Sequence, residues 1–272
     1  MTTETIQLRE CRLVIDDGVA EFSHQRPEVR NALTSTMRLD YRDMLDRVES
    51  DRGSRALILT GSQGSFCAGG DVRILRRMQK EGGTAPDVMR RTVLSAHGWL
   101  RRLRDLDIPL IAAVDGPAAG AGFSLALAAD FVLASTRASF CMSFARVGLI
   151  PDLGALYHLP RIVGLSRAKE LVLTARKLQA EEALRLGIVY AIHEPAELAG
   201  HAWAFARRLA AGPREAMGLG KRLLNLSFET SYQTMIELEA ASQAVAASMP
   251  EFRDSIEDFV AGRPARYDWE RR

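Results

Sequence analysis

Cysteine is scarce in this chain. Cys11, Cys67 and Cys141 are odd in number and show no paired spacing of the kind zinc sites or disulfide scaffolds use, so a reducing compartment is expected. Charge of one sign is also lacking: 36 basic against 34 acidic residues leave a formal net charge of +2. That balance gives no support for a nucleic-acid or membrane-surface partner, and a charged ligand would be met at a site rather than across a face. Long apolar runs are missing too. The longest, from Leu110 to Leu133, is broken by Asp115, Gly116, Pro117 and Asp130, short of the roughly 20 residues a membrane span needs. The opening MTTETIQLRE has no basic start followed by an apolar run, so no secretory signal is expected and a cytoplasmic location is. His24, His97, His158, His193 and His201 do not cluster with carboxylates or cysteines at metal spacing, which predicts no metal site. A phosphate loop is excluded because no glycine-rich turn ends in Gly-Lys-Ser/Thr.

What is present is an ordinary globular composition, 47% hydrophobic and 26% charged. Leu13 to Ile15, the turn at Asp16-Asp17-Gly18 and Val19 to Phe22 read as a hairpin. From about Ser35, Met37, Tyr41, Met44, Leu45 and Val48 recur at helical spacing. Arg55 to Thr60 is a short apolar run before Gly61, the pattern of a buried strand. Further along come a helix from about Asp71, an amphipathic helix through Val93, Leu94, His97, Leu100 and Leu103, and a strand from Ile108 to Val114. A helix from about Ala121 to Ala129 and a strand from Phe131 to Ala134 follow. Strands alternating with helices predict an α/β fold. From about Pro195 onward the pattern is almost wholly helical, which divides the chain into an α/β core, residues 1–198, and a helical region, residues 199–272.

Two loops stand out: Gly64-Ser65-Phe66-Cys67-Ala68-Gly69-Gly70-Asp71 and Asp115-Gly116-Pro117-Ala118-Ala119-Gly120-Ala121-Gly122. Each runs from a strand into a helix start. Small side chains let a ligand approach the main chain, and the first N–H groups of a helix have no partner within it. Two such ends meeting on a carbonyl oxygen would form an oxyanion hole. On the residues alone, ordinary strand-to-helix turns account for the loops equally well. Gly120-Ala121-Gly122 makes a poor dinucleotide fingerprint, because the third glycine is missing.

Together with Arg26-Pro27-Glu28-Val29-Arg30-Asn31-Ala32-Leu33 upstream and Gly148-Leu149-Ile150-Pro151-Asp152 downstream, these loops resemble the crotonase (enoyl-CoA hydratase/isomerase) superfamily. The similarity runs over most of the chain, to Ile256–Pro264. It implies a spiral of repeated ββα units, a C-terminal helical region for trimerisation, and homotrimers often paired into hexamers. It also implies an acyl-CoA thioester as partner, with coenzyme A entering as part of the substrate and no separate cofactor. The N–H groups of Gly70 and Ala121 would hold the thioester oxygen; Ala121 stands where many relatives have glycine. The coenzyme A moiety would lie near Arg26, Val29 and Arg30 and over Ser65 to Ala68.

The same resemblance separates chemistries. Hydratases of the family hold water with two glutamates, whose positions here carry Ser124 and Phe144, so hydration is not expected. One carboxylate, Asp152, stands where the acid/base lies in the branch that includes the ring-epoxide isomerase of phenylacetyl-CoA breakdown. That branch also shares the 118–122 loop and Ser143-Phe144. A free aspartate has a pKa near ~3.9, and apolar neighbours such as Phe144, Leu149 and Ile150 would raise it. The expected activity is a double-bond shift through a dienolate, with Asp152 taking a proton from C2 and returning it to C4. As a turn or helix cap, Asp152 would have no chemical role. Rival readings are an enoyl-CoA hydratase, an aryl-CoA dehalogenase in which this aspartate attacks carbon, and a non-catalytic fold that binds acyl-CoA or RNA. A dehalogenase needs an aromatic cradle and a histidine base, neither of which stands out here. Asp71 reads as a helix-start residue, His97 as a core histidine, and Cys67 as small for fit. Ser124 lacks a Gly-x-Ser-x-Gly elbow. The acyl pocket would be shaped by the segment from Ile74 to Met89 and by the C-terminal helices.

Overall fold

A computed structural model describes residues 3–80 and 85–270; of the segment expected to shape the acyl pocket, residues 81–84 lie outside it. The strands are β1 (Glu4–Gln7), β2 (Cys11–Asp16), β3 (Val19–His24), β4 (Ala56–Gly61), β5 (Leu110–Val114), β6 (Pro117–Ala119), β7 (Phe131–Ser135), β8 (Ser139–Cys141), β9 (Leu178–Gln179) and β10 (Ala191–His193). The helices of the first half are α1 (Ser35–Ser50), α2 (Val72–Lys80), α3 (Pro86–Arg104) and α4 (Ala121–Leu127). Those of the second are α5 (Ala155–Val163), α6 (Leu165–Thr174), α7 (Ala180–Arg185), α8 (Leu198–Ala210), α9 (Arg214–Leu226), α10 (Tyr232–Ser248) and α11 (Pro250–Val260).

The main sheet runs β1-β2-β3-β4-β5-β7-β10, and a small second sheet runs β6-β8-β9. β1 to β3 are antiparallel, whereas β3 to β10 pair in parallel. The central strands are short continuous apolar runs because both of their faces are covered. In β4, Leu57 and Leu59 face the core that holds α1 and α3, while Ala56 and Ile58 face α8. The α1 side takes Met37, Tyr41, Met44, Leu45 and Val48, and Thr34 caps the helix by accepting from Met37 N at 3.0 Å. On the other face, Ala202, Phe205, Ala206 and Leu209 of α8 seal β4, β5 and β7. Thus α8, the first helix of the expected helical region, closes the core. Beyond it, α10 buries none of its residues within the chain.

The parallel strands β4 and β5 end on one side, and each hands the chain to a glycine-rich loop leading to α2 or α4. In open parallel sheets that side is where ligands bind. No helix of the described residues is long and apolar enough to cross a membrane.

Candidate active site

The two loops meet main chain to main chain. Cys67 N–H donates to Pro117 O at 3.1 Å, and Ala119 N–H donates to Cys67 O at 3.0 Å. Contact this close needs glycine. A Cβ at Gly122 would stand 2.1 Å from Cys67 O, and one at Gly69 would stand 2.7 Å from Ala119 O and 3.4 Å from Ala121 N, at a φ of +96°. The loops therefore bring Gly70 and Ala121 together. Ala121 is the first residue of α4, so its N–H has no acceptor inside the helix. Gly70 has open space where a side chain would be.

Three buried side chains hold this arrangement from behind. Asn31 Nδ2 donates to Ser62 O at 3.0 Å and Ser65 O at 2.6 Å, while its Oδ1 accepts from Arg26 N at 2.9 Å. Its left-handed backbone, φ +55°, is one that asparagine tolerates. His24 Nδ1–H donates to Phe66 O at 3.2 Å, and because that nitrogen must carry the proton, Nε2 accepts from the Tyr41 hydroxyl at 2.7 Å. Full burial keeps His24 neutral, with its pKa lowered to about 4. Asn31, His24 and Tyr41 were not singled out from the sequence as supports of this loop; their partners are distant in the chain.

A cavity of about 530 Å³ opens at the meeting point. Its wall carries Gly70, Ala121, Asp71, Phe144 and Asp152, together with Trp99 and Arg38. Asp152 reaches it from the turn before α5, where Ala155 N–H donates to Asp152 O at 3.1 Å and Leu153 has φ +49°. The cap position of α5 is Gly154, with no side-chain cap. The carboxylate is thus not used as a helix cap. Asp152 Oδ1 is buried without a hydrogen-bond partner, and burial pushes the carboxyl pKa up despite the opposing charges of His97 and Arg38. His97 is half-buried on α3 and does not line the cavity.

Other candidate residues fall in different places. Asp71 sits on the cavity wall, but Arg73 grips it through Nε at 3.0 Å and Nη2 at 2.7 Å, holding its pKa down at about 2. Arg26 is turned toward Glu10, Glu28 and Asp71 at 3.4, 3.6 and 3.8 Å. Val29 ends a short 3-10 turn, and Arg30 is exposed at φ +52°. Arg30 O accepts from Ala68 N–H at 2.9 Å and from Ser65 Oγ at 3.2 Å, so the segment expected to carry coenzyme A is tied to the first loop. Ser124 is fully buried inside α4, bonded back to Gly120 O at 3.3 Å, and does not line the cavity. Cys67 is buried, and its thiol pKa is pushed up to about 12, which leaves it unreactive. A second cavity, about 610 Å³, lies against α9; its carboxylate Asp130 is held by Lys221 at 2.6 Å and by Leu110 N–H at 2.7 Å.

The sequence profile of the family Enoyl-CoA hydratase/isomerase matches residues 14–271. The chain belongs to this family. Within it, the 1,2-epoxyphenylacetyl-CoA isomerase of Escherichia coli (strain K12) is 36% identical over 93% of this chain and 96% of its own. A probable enoyl-CoA hydratase of Rhodobacter capsulatus is also 36% identical, over 94% and 96%. Among solved structures, an enoyl-CoA hydratase/isomerase from Cupriavidus metallidurans CH34 superposes with a TM-score of 0.91 at 41% identity, covering 96% of this chain and 97% of that one. The fold is accordingly that of the crotonase superfamily, whose members process acyl-CoA thioesters.

Proposed function

We propose that this enoyl-CoA hydratase/isomerase family member is an isomerase that moves a double bond in an acyl-CoA, with Asp152 as its one acid/base. One observation carries the reading. Asp152 is the carboxylate on the cavity wall with an unpartnered buried oxygen, while the other wall carboxylate, Asp71, is locked to Arg73. A thioester oxygen would sit between the N–H groups of Gly70 and Ala121. Asp152 takes a proton from C2 of a 3-enoyl-CoA, and the electron pair moves onto the thioester oxygen as a dienolate. The same carboxyl, now an acid, returns the proton to C4, and the double bond ends between C2 and C3. Each hole donor contributes about 3–4 kcal/mol to lowering the barrier. Phe144, 7% exposed, supplies no carboxylate to activate water. The similarity to the Escherichia coli isomerase supports this reading, and the similarity to the Rhodobacter capsulatus hydratase is what it must be tested against.

The test uses the protein and its Asp152→Asn variant with a 3-enoyl-CoA and a 2-enoyl-CoA, following the conjugated thioester by ultraviolet absorbance. Conjugation of the first, no hydration of the second and loss of at least ~100-fold in the variant are expected. Dominant hydration, or full activity in the variant, would overturn the assignment. The similarity to 4-chlorobenzoyl coenzyme A dehalogenase-2 of Arthrobacter sp, 31% identical over 89% of this chain, favours a second reading, an aryl-CoA dehalogenase in which Asp152 displaces a halide and water later cleaves the ester. An aryl adduct on Asp152 in the mass spectrum after mixing with a halogenated aryl-CoA would establish it. We further propose that the C-terminal helices assemble the chain into a trimer or a pair of trimers.

A further inference from the structure

The register of the small sheet sets a hydroxyl beside the oxyanion hole. β6 and β8 pair in parallel, with Ala118 opposite Phe140 and Ala119 opposite Cys141, and Gly120 N–H donates to Cys141 O at 2.8 Å. Carried on by two residues, that register puts Ser143 alongside Ala121. The contact is close: a Cβ at Gly120 would stand 3.1 Å from Ser143 Oγ and 3.8 Å from the Phe144 ring, at a φ of +51° that itself favours glycine. Ser143, Gly120 and Ala121 all line the acyl cavity. Other hydroxyls on its wall are engaged or remote: Thr92 donates to Val88 O at 2.9 Å, Thr34 is held by Glu10 and Met37 N–H, and Ser35 is exposed at the start of α1. Ser143 is half-buried, and its Oγ bonds nothing among the described residues. That oxygen is not sealed inside the protein, so a ligand in the cavity can reach it.

A serine hydroxyl rotates to suit its partner, so it can donate wherever negative charge gathers. Removing a proton from C2 puts that charge on the thioester oxygen at the hole, where the neighbouring Phe144 ring keeps water away and strengthens any hydrogen bond. We propose that Ser143 is a further catalytic residue, whose hydroxyl donates a third hydrogen bond to the thioester oxygen as the enolate forms. The hydroxyl keeps its own proton throughout. The inference rests on the thioester oxygen lying between the N–H groups of Gly70 and Ala121, and it adds a side-chain donor to that site.

Infrared difference spectra of bound hexanoyl-CoA, carbon-13 labelled at the thioester carbonyl, test it. The carbonyl band should lie below its position in water, and in Ser143→Ala it should move part of the way back. In D₂O, exchange of the C2 protons of the same thioester should slow on the order of 100-fold in the variant, the scale of one lost oxyanion donor. Its dissociation constant should change by less than about threefold. Hexanoyl-CoA has no double bond to shift, and its carbonyl band does not require Asp152, so a failed isomerase assay leaves this test intact. A band at the water position in the unaltered protein would remove the oxyanion hole and the proposal with it. A lowered band that Ser143→Ala leaves unmoved, or exchange that it does not slow, overturns the proposal alone.

Discussion

Asp152 sits under two opposed demands. As a base it must be ionised, yet its surroundings penalise the ionised form, and His97 and Arg38 only partly offset that penalty. A carboxyl whose folded pKa is raised binds more protons in the native than in the unfolded state, so stability falls as pH rises between the two values. Asp152→Asn should therefore melt higher than the unaltered protein at pH 7, and the gain should vanish below about pH 3.9. Equal melting of the two proteins at pH 7 would show that the carboxylate is well solvated. Activity has the opposite sign: it requires the deprotonated form, so kcat/KM should drop as pH falls through a midpoint above the ordinary aspartate value near ~3.9. A profile flat down to pH 4 would remove Asp152 as the base. The motif Leu149-Ile150-Pro151-Asp152 made this residue legible in the sequence. The helical spacing of Val93, Leu94, His97 and Leu100 marks a face of α3 without saying which of its residues meet the core and which, like Val93, meet the cavity. Trp99 and Arg38 were invisible for the same reason.

The glycine-rich loops, α1 and β3 act together as one brace. Gly122 and Gly70 look equivalent in the sequence, but the structure separates them. Gly122→Ala drives a Cβ to 2.1 Å from Cys67 O, into backbone that cannot yield, so the variant should lose about 3 kcal/mol or more or fail to fold. Gly70→Ala meets nothing within 4 Å and should fold with near-unaltered melting while losing activity, because its methyl group stands at the cavity. Thermal melts of both, with activity for the second, check this; equal destabilisation would contradict it. The brace also sets acid sensitivity. His24 is fully buried, with its pKa lowered from 6.5 to about 4, so the unfolded chain takes up a proton before the native one does. Stability from this residue is present above pH 6.5 and is lost between pH 6.5 and 4, by about 3 kcal/mol at about 1.4 kcal/mol per unit. Urea unfolding across that window should show the loss, and His24→Gln should flatten part of it; His158, also lowered to about 4, and His193, lowered by burial, contribute to the remainder. Elements with a strong period were legible: α1, β4 and β5 fall within a residue or two of their expected bounds. Others were not. α5 contains Pro160 and is preceded by Gly154 at its cap, both signals against a helix, while β9 is two residues long and held only by pairing to β8.

At the scale of the molecule, strand–helix alternation revealed the α/β core, and the helical pattern after Pro195 revealed α8 to α11. What the pattern could not show is which of these helices serve this chain. α8 lies on the sheet, but the segment from α9 onward leaves Leu224, Phe228, Tyr232, Phe259 and Val260 between 74% and 83% exposed. Single exposed apolar residues are ordinary, but five this exposed in one helical segment are the surface that the proposed assembly would cover. A closed assembly of identical chains supplies such a cover without leaving an open end. Light scattering should accordingly give three or six times the 30.0 kDa of the chain. Phe228→Glu combined with Phe259→Glu, both on side chains exposed within the protomer, should leave the protomer fold intact by circular dichroism and shift the mass toward one chain. A single-chain mass for the unaltered protein at micromolar concentration would mean these helices face something other than copies of themselves.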